Sequence, residues 1–253
     1  MTLFRNVVFV AALAGLLASL VMTGLQAWFT VPLILKAETY ESAEPVHDHD
    51  HSASAGAADA SHSHGHSHSD GHDHGDGWAP ADGTERFTYT ALANIVSGVG
   101  FALLLVAVSE FAGGISSWRV GAAWGFAGFA VFTLAPGLGL PPELPGMPAA
   151  ELEGRQFWWL ATVAATAAGL ALIAFRGTVV LSLVGLALIV APHLIGAPQP
   201  ASHESPVPVE LHRDFVIAAT LTSLVFWVLL GGLAGVLRQR LIGRAGNLRD
   251  QLA

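Results

Sequence analysis

The run Val7-Val-Phe-Val-Ala-Ala-Leu-Ala-Gly-Leu-Leu-Ala-Ser-Leu-Val-Met-Thr-Gly-Leu-Gln-Ala-Trp-Phe29 carries no charged side chain and decides the class of fold. A hydrocarbon core about 30 Å thick is crossed by roughly 20 apolar residues in helical conformation, and this run is long enough. It follows Arg5, as a secretory signal would, yet it stays apolar well beyond the roughly 7 to 15 residues of a signal h-region. No small-x-small cleavage site ends it, so a retained first helix is expected.

Five comparable runs follow, at about Phe87 to Val108, Trp118 to Pro136, Phe157 to Phe175, Val179 to Gly196 and Phe215 to Leu237. Only Arg176, Gly177 and Thr178 part the fourth run of the chain from the fifth, which suits a tight helical hairpin. Were those two a broken pair of shorter elements, five full spans would remain. The composition agrees: 53% of the residues are apolar and 12% charged, against about 25% charged in a soluble domain. The expectation is an all-α, polytopic transmembrane helix bundle, with residues 1–253 forming one integral membrane domain. Residues 238–253 form a short basic tail, and residues 38–86 a hydrophilic loop between the first two spans.

That loop changes character entirely. Ala, Ser, Gly, His and Asp leave almost nothing apolar to bury, so it is expected to be disordered when empty. It holds nine of the twelve histidines: His47, His49, His51, His62, His64, His66, His68, His72 and His74. Most stand at every second position, so an extended backbone points successive imidazoles the same way and a bend lets several converge. Neutral imidazole is the commonest transition-metal ligand, and Asp48, Asp50, Asp70, Asp73 and Asp76 add oxygen donors. An imidazole with its ordinary pKa near 6.5 is largely free of its proton at neutral pH, so capture should fade on acidification. Cobalt, nickel, zinc and copper(II) all suit such a flexible site. The absence of cysteine and the presence of only three methionines argue against copper(I) and rule out thiolate zinc sites. His68 to His74 also matches H-x-x-x-x-D-H, a nickel and cobalt permease signature when it lies in a membrane helix; in a repetitive hydrophilic tract such a match arises by chance.

The formal charge of −8 is unevenly spread: from Lys36 to Arg86 there are 11 acids against 2 basic residues. Nucleic acid is therefore not an expected partner; the lipid bilayer is. With both termini inside, 7 of the 11 basic residues fall on the cytoplasmic side, and every acid except Glu110 and Asp250 falls outside or at the outer border. A bacterial inner-membrane location with an extracytoplasmic histidine loop follows, and so negative an outer face concentrates cations.

Polar groups within the spans are few, and each is a candidate stepping stone. Gln26 and Asn94 lie toward the outer side, Glu110 at the cytoplasmic end of the second span, and His193 after Pro192 near the outer end of the fifth. His203, Glu210, His212, Arg213 and Asp214 stand just outside the sixth. His193, His212, Asp214 and Glu110 are the expected elements of a path. The glycine pairs Gly121 with Gly125 and Gly231 with Gly235 are expected to serve helix packing only.

Three stretches carry a resemblance: Leu134-Ala-Pro-Gly-Leu-Gly-Leu-Pro-Pro-Glu-Leu-Pro-Gly146, Arg155-Gln-Phe-Trp-Trp159, and Ala191-Pro-His-Leu-Ile-Gly-Ala-Pro198. With Val31-Pro-Leu-Ile-Leu-Lys-Ala-Glu38 and the histidine loop, they resemble the proposed cobalt transporter subunit family CbtA over nearly the whole chain. The resemblance implies cobalt uptake serving cobalamin synthesis, five spans, and a small histidine-bearing membrane partner, CbtB. It marks Pro136 to Gly146, Arg155, Gln156, Pro192 and His193. The expected function is therefore a transition-metal transporter or transporter subunit, with cobalt the expected ion. The alternatives are a transporter for nickel or zinc, or a non-conducting metal-binding accessory or sensor. An enzyme is not expected, since neither H-E-x-x-H nor a nucleophile elbow occurs, and no G-x-x-x-x-G-K-[ST] element supplies ATP hydrolysis.

Overall fold

The computed structural model describes residues 2–41, 80–81 and 83–251, with side chains described over 5–40, 80–81 and 83–241. The histidines and aspartates of the tract from His47 to Asp76, and the expectation that it is disordered, lie outside the described residues. Every regular element among the described residues is helical. Helix α1 (Thr2–Leu25) passes through a π-helical turn (Gln26–Thr30) into α2 (Val31–Glu41), and α3 spans Thr84–Glu110. Helix α4 (Trp118–Phe129) passes through a second π-helical turn (Ala130–Leu134) into α5 (Ala135–Gly139). Then come α6 (Leu152–Arg176), α7 (Val179–Ile195) and α8 (Val209–Gln251).

Five of these stretches are long and apolar enough to cross a membrane: Arg5–Tyr40, Thr84–Glu110, Trp118–Gly139, Leu152–Arg176 and Val209–Leu241. The sixth expected span, α7, is a shorter apolar helix of 17 residues. At 1.5 Å per residue it measures about 25 Å, the short end of what crosses a bilayer. It lies antiparallel to α6, for Gly169 meets Gly185 and the Trp158 indole donates to the Pro192 carbonyl. The connection is two residues long, and Gly177 at φ +60° takes the left-handed conformation that closes the α6 helix.

Two helices run further than their apolar runs. The first continues from Phe29 to Glu41, and the last opens at Val209, which puts His212, Arg213 and Asp214 within its first turns. A search for apolar runs stops at the lipid border, whereas backbone hydrogen bonding has no reason to stop there. Pro32 and Pro136 lack an N–H, yet each lies two residues beyond a π-helical turn, where the hydrogen-bond register is already shifted.

Between helices in lipid there is little hydrophobic driving force, so close van der Waals contact must hold the bundle. Glycine makes it available between α4 and α8, α1 and α3, and α6 and α7. A side chain on Gly121 would strike the Gly231 carbonyl, one on Gly125 the Trp227 carbonyl, and one on Gly235 the Ser117 carbonyl, so α4 and α8 lie backbone to backbone. Gly15 on α1 faces the Gly98–Val99 backbone of α3 in the same way. Around these contacts Val10, Ala14, Ala18, Val106, Ile115, Phe129, Trp227 and Leu230 form the main core. Large apolar side chains such as Phe9, Leu20, Val96, Phe126, Leu160 and Leu183 stay exposed on the outer surface, as a lipid-facing belt requires.

Contacts along the helices give the bundle two ends. One holds the 111–117 turn and the Gly177–Thr178 connection, and there Arg238 of α8 reaches Glu110 of α3. The other, here the loop face, holds the 140–151 and 196–208 connections and both helix ends that flank the undescribed tract. On that face a second core of Ala37, Leu144, Val207, Leu211 and Phe215 caps the bundle. Leu144 comes from the proline-dense turn, which Arg155 holds to α6 through Glu143 at 3.0 Å.

Gly231→Ala should destabilise the bundle by about 1–3 kcal/mol through forced separation of α4 and α8. Gly232→Ala, whose new methyl meets nothing within 4 Å, should be neutral or slightly stabilising. Thermal unfolding of the two variants in one detergent distinguishes them, and equal midpoints would contradict the close approach.

Candidate functional site

Several polar side chains within the bundle gather at one place. Gln26 and Asn94, 68 residues apart in the chain, meet where Asn94 Nδ2 donates to Gln26 Oε1 at 2.6 Å. Asn94 Nδ2 also donates to Thr23 Oγ1 at 3.0 Å, and the Asn94 carbonyl accepts from Ser19 Oγ at 2.7 Å. Thr23 Oγ1 commits its own proton to the Ser19 carbonyl at 2.9 Å, so toward Asn94 it acts as an acceptor. That fixes the orientation of the amide. From the π-helical turn after α4 and from α8, Thr133 Oγ1 and Ser223 Oγ stand 3.0 Å apart. Asn94, Thr133 and Ser223 line a cavity of about 230 Å³, with Met22, Ser97 and Trp159 also on its wall. Its aromatic side is tightly organised: Trp227 stacks on Phe132 at 5.5 Å between ring centres and lies 5.0 Å from Phe101.

The side chains expected to form a path are distributed differently. His193 sits at the junction of α5, α6 and α7, with Nδ1 3.1 Å from its own Ile189 carbonyl and Nε2 3.0 Å from the Ala135 carbonyl. Trp158 lies edge-on to its ring. A neutral imidazole donates to only one carbonyl at a time, and with both nitrogens facing carbonyls neither lone pair is open to a metal in this arrangement. His193 therefore ties three helices together here, with Pro192 buried beside it inside α7.

His212 lies on the loop face, its Nε2 3.1 Å from the Pro142 carbonyl. A carbonyl can only accept, so Nε2 carries the proton and Nδ1 keeps the lone pair that a metal would use. Asp214 is exposed, 3.5 Å from Arg213 in a surface pair that contributes little. His203 and Glu210 are exposed.

Glu110 lies at the opposite end, in a two-pronged pair with Arg238 whose Nη2 is 3.1 Å from Oε2. The guanidinium fills the space over Gly114, which any side chain there would obstruct. Gln239 adds a bond to the Ser116 carbonyl at 2.8 Å, so this end of α8 is latched to the 111–117 turn. Among the described residues no three His, Asp or Glu side chains converge as a metal site. The ends of the undescribed tract do converge: Arg86 Nη1 meets Glu38 Oε1 at 2.8 Å, joining α2 to α3 on the loop face.

Sequence reasoning singled out Gln26 and Asn94 separately but missed their partnership with Thr23 and Ser19, and missed the Thr133–Ser223 pair altogether. Hydroxyls are unremarkable in membrane helices, because each can bond to a carbonyl one turn back, as Thr162 does to Trp158. The signal that was available is backbone chemistry: Pro32 stands just beyond the apolar run that contains Ser19, Thr23 and Gln26, and Pro136 closes the run that contains Thr133.

No curated protein and no solved structure matches the chain. A family model does match, described as probable cobalt transporter subunit (CbtA), over residues 4–239. The match runs through all five membrane-spanning stretches, stopping two residues short of the end of the last, and the chain accordingly belongs to the CbtA family of probable cobalt transporter subunits.

Proposed function

We propose that the chain carries divalent cobalt across the bacterial inner membrane, its histidine tract capturing the ion outside and delivering it to the loop face of the bundle. The observation that carries this reading is the Glu38–Arg86 pair, which brings both ends of the tract to the face where His212 keeps one ring nitrogen free. Residues His47 to His74 then raise the local cation concentration, and an ion need travel only along a short tether to reach the bundle. Uncharged oxygens inside the bundle give it a polar interior without an acid that would trap a divalent ion. Both termini and the latched Glu110–Arg238 end face the cytosol in this reading, and the membrane potential draws the cation inward. A small histidine-bearing partner, CbtB, completes the assembly.

A second reading, a non-conducting accessory that concentrates metal for another transporter, is favoured by one feature. The described acids at the ends of the bundle are paired or exposed, and the interior groups are amides and hydroxyls. Liposomes holding the purified chain, with cobalt outside and an inside-negative potential, separate the two readings. Uptake above protein-free vesicles is expected, and binding without uptake would favour the accessory.

Changing the nine tract histidines to asparagine should depress uptake chiefly at low external cobalt, leaving the maximal rate nearly intact. An equal loss at saturating cobalt would place the tract in the path itself. His193→Ala should lower the maximal rate; if it lowers only the unfolding midpoint, the residue is a helix tie and no more. Protease added outside spheroplasts should cut within residues 42–79, and protection of that segment would reverse the proposed orientation.

A further inference from the structure

The two π-helical turns have the same relation to proline. Gln26–Thr30 is followed at the second residue by Pro32, and Ala130–Leu134 at the second residue by Pro136. Both interrupted helices run toward the loop face, since each packs antiparallel to a helix that starts there, α1 against α3 and α4 against α8. A π-helical turn shifts the hydrogen-bond register, and a proline leaves the carbonyl one turn back without its donor. Irregular backbone at membrane depth is tolerated where it is buried in protein or lines a cavity, and matched interruptions in corresponding helices point to a transporter's binding site. Here the cavity is present: Thr133 lies within one turn, and Asn94, on its wall, is bonded to Gln26 at the start of the other.

Its depth fits. Ser223 lies 14 residues from the start of α8 at Val209, about 21 Å along the helix, and Arg238, at the latched end, lies a similar distance beyond. The chemistry fits as well. Both Nδ2 bonds of Asn94 are spent within the network, which leaves Oδ1, a strong uncharged acceptor, without a protein partner. One of the two hydroxyl protons lies in the Thr133–Ser223 bond, and lone pairs on both oxygens remain to be offered. The Met22 thioether on the wall is also compatible with a soft or borderline cation.

We infer that the cavity bounded by Met22, Asn94, Ser97, Thr133, Ser223 and Trp227 is a second, mid-membrane station for a divalent transition-metal ion that retains part of its water. The volume of about 230 Å³ has room for several waters at about 30 Å³ each, and a bare divalent ion would find no charge to offset its dehydration. Neutral donors hold the ion less tightly than a carboxylate cage, which favours release as well as entry. The station rests on the transport reading for its purpose, but its existence is a matter of binding alone.

Two measurements with cobalt(II) on the full-length chain test it. The first is equilibrium binding to a protein whose nine tract histidines are asparagine; one residual ion is expected, weakened about tenfold or more by Asn94→Leu through loss of a good acceptor. The paired change Thr133→Val with Ser223→Ala, nearly isosteric, should weaken it similarly, while Thr133→Ser should leave it within about twofold. The second is liposome uptake at saturating cobalt with the tract intact, where the same variants should lose maximal rate and the conservative one should not. Should Asn94→Leu fail to fold, judged by gel filtration and unfolding midpoint, the isosteric pair decides. Residual binding that vanishes in the variants, with no uptake by the parent chain, would uphold the station and sink the transport reading. Uptake that survives both substitutions would sink the station and leave transport standing. Absence of the residual ion would likewise overturn it.

Discussion

The closest constraint in the molecule is the contact of bare backbone between α4 and α8. In water, two such helices would be pressed together by apolar burial, but lipid offers little of that force, so proximity itself must supply the energy. Gly121, Gly125, Gly231 and Gly235 allow carbonyls and α-carbons of one helix to lie directly against the other. One wall of the cavity depends on that distance. Thr133 and Ser223 share a hydrogen bond because α4 and α8 are this close, and Trp227 stacks on Phe132 for the same reason.

The rest of the bundle is attached by polar ties at its two ends. At one end Arg238 holds Glu110 and lies over Gly114, fastening α3 to α8. At the loop face Arg155 with Glu143, Arg86 with Glu38, and His193 with the Ala135 carbonyl secure the connections. Two of these ties have the same form. In each, an acid six or seven residues beyond the proline that follows a π-helical turn, Glu38 after Pro32 and Glu143 after Pro136, pairs with an arginine in the first turn of the next membrane helix. The histidine tract thus occupies the position that the proline-dense turn occupies between α5 and α6. That turn is folded onto the cap through Leu144, whereas the sequence of the tract is rich in His, Asp, Ser and Gly and holds few large apolar residues.

Much was legible before any coordinates. The apolar runs, the all-helical class and the packing role of the glycine pairs follow from composition and spacing, because dehydrating a polar backbone allows few solutions. The five long spans and the shorter α7 agree with the six runs, and the brevity of α7 accounts for the choice between five and six. The roles of polar residues were less legible. His193 reads in sequence as an open ligand after a proline, and the fold turns both its nitrogens toward carbonyls. Glu110 reads as a lone charge at a helix end, and its partner stands 128 residues further on.

Sequence by itself determined that this is a multi-pass membrane helix bundle and that residues 47–76 concentrate imidazole and carboxylate. Both are one-dimensional properties: apolar run length sets the first, and local density of donor types sets the second. Only the tertiary structure decided which polar groups share a site. Ser19, Thr23, Asn94, Thr133 and Ser223 are ordinary within their own helices, and what joins them is the rotation and separation of helix pairs. Those are set by backbone contacts at glycine, which local pattern announces without naming the partner.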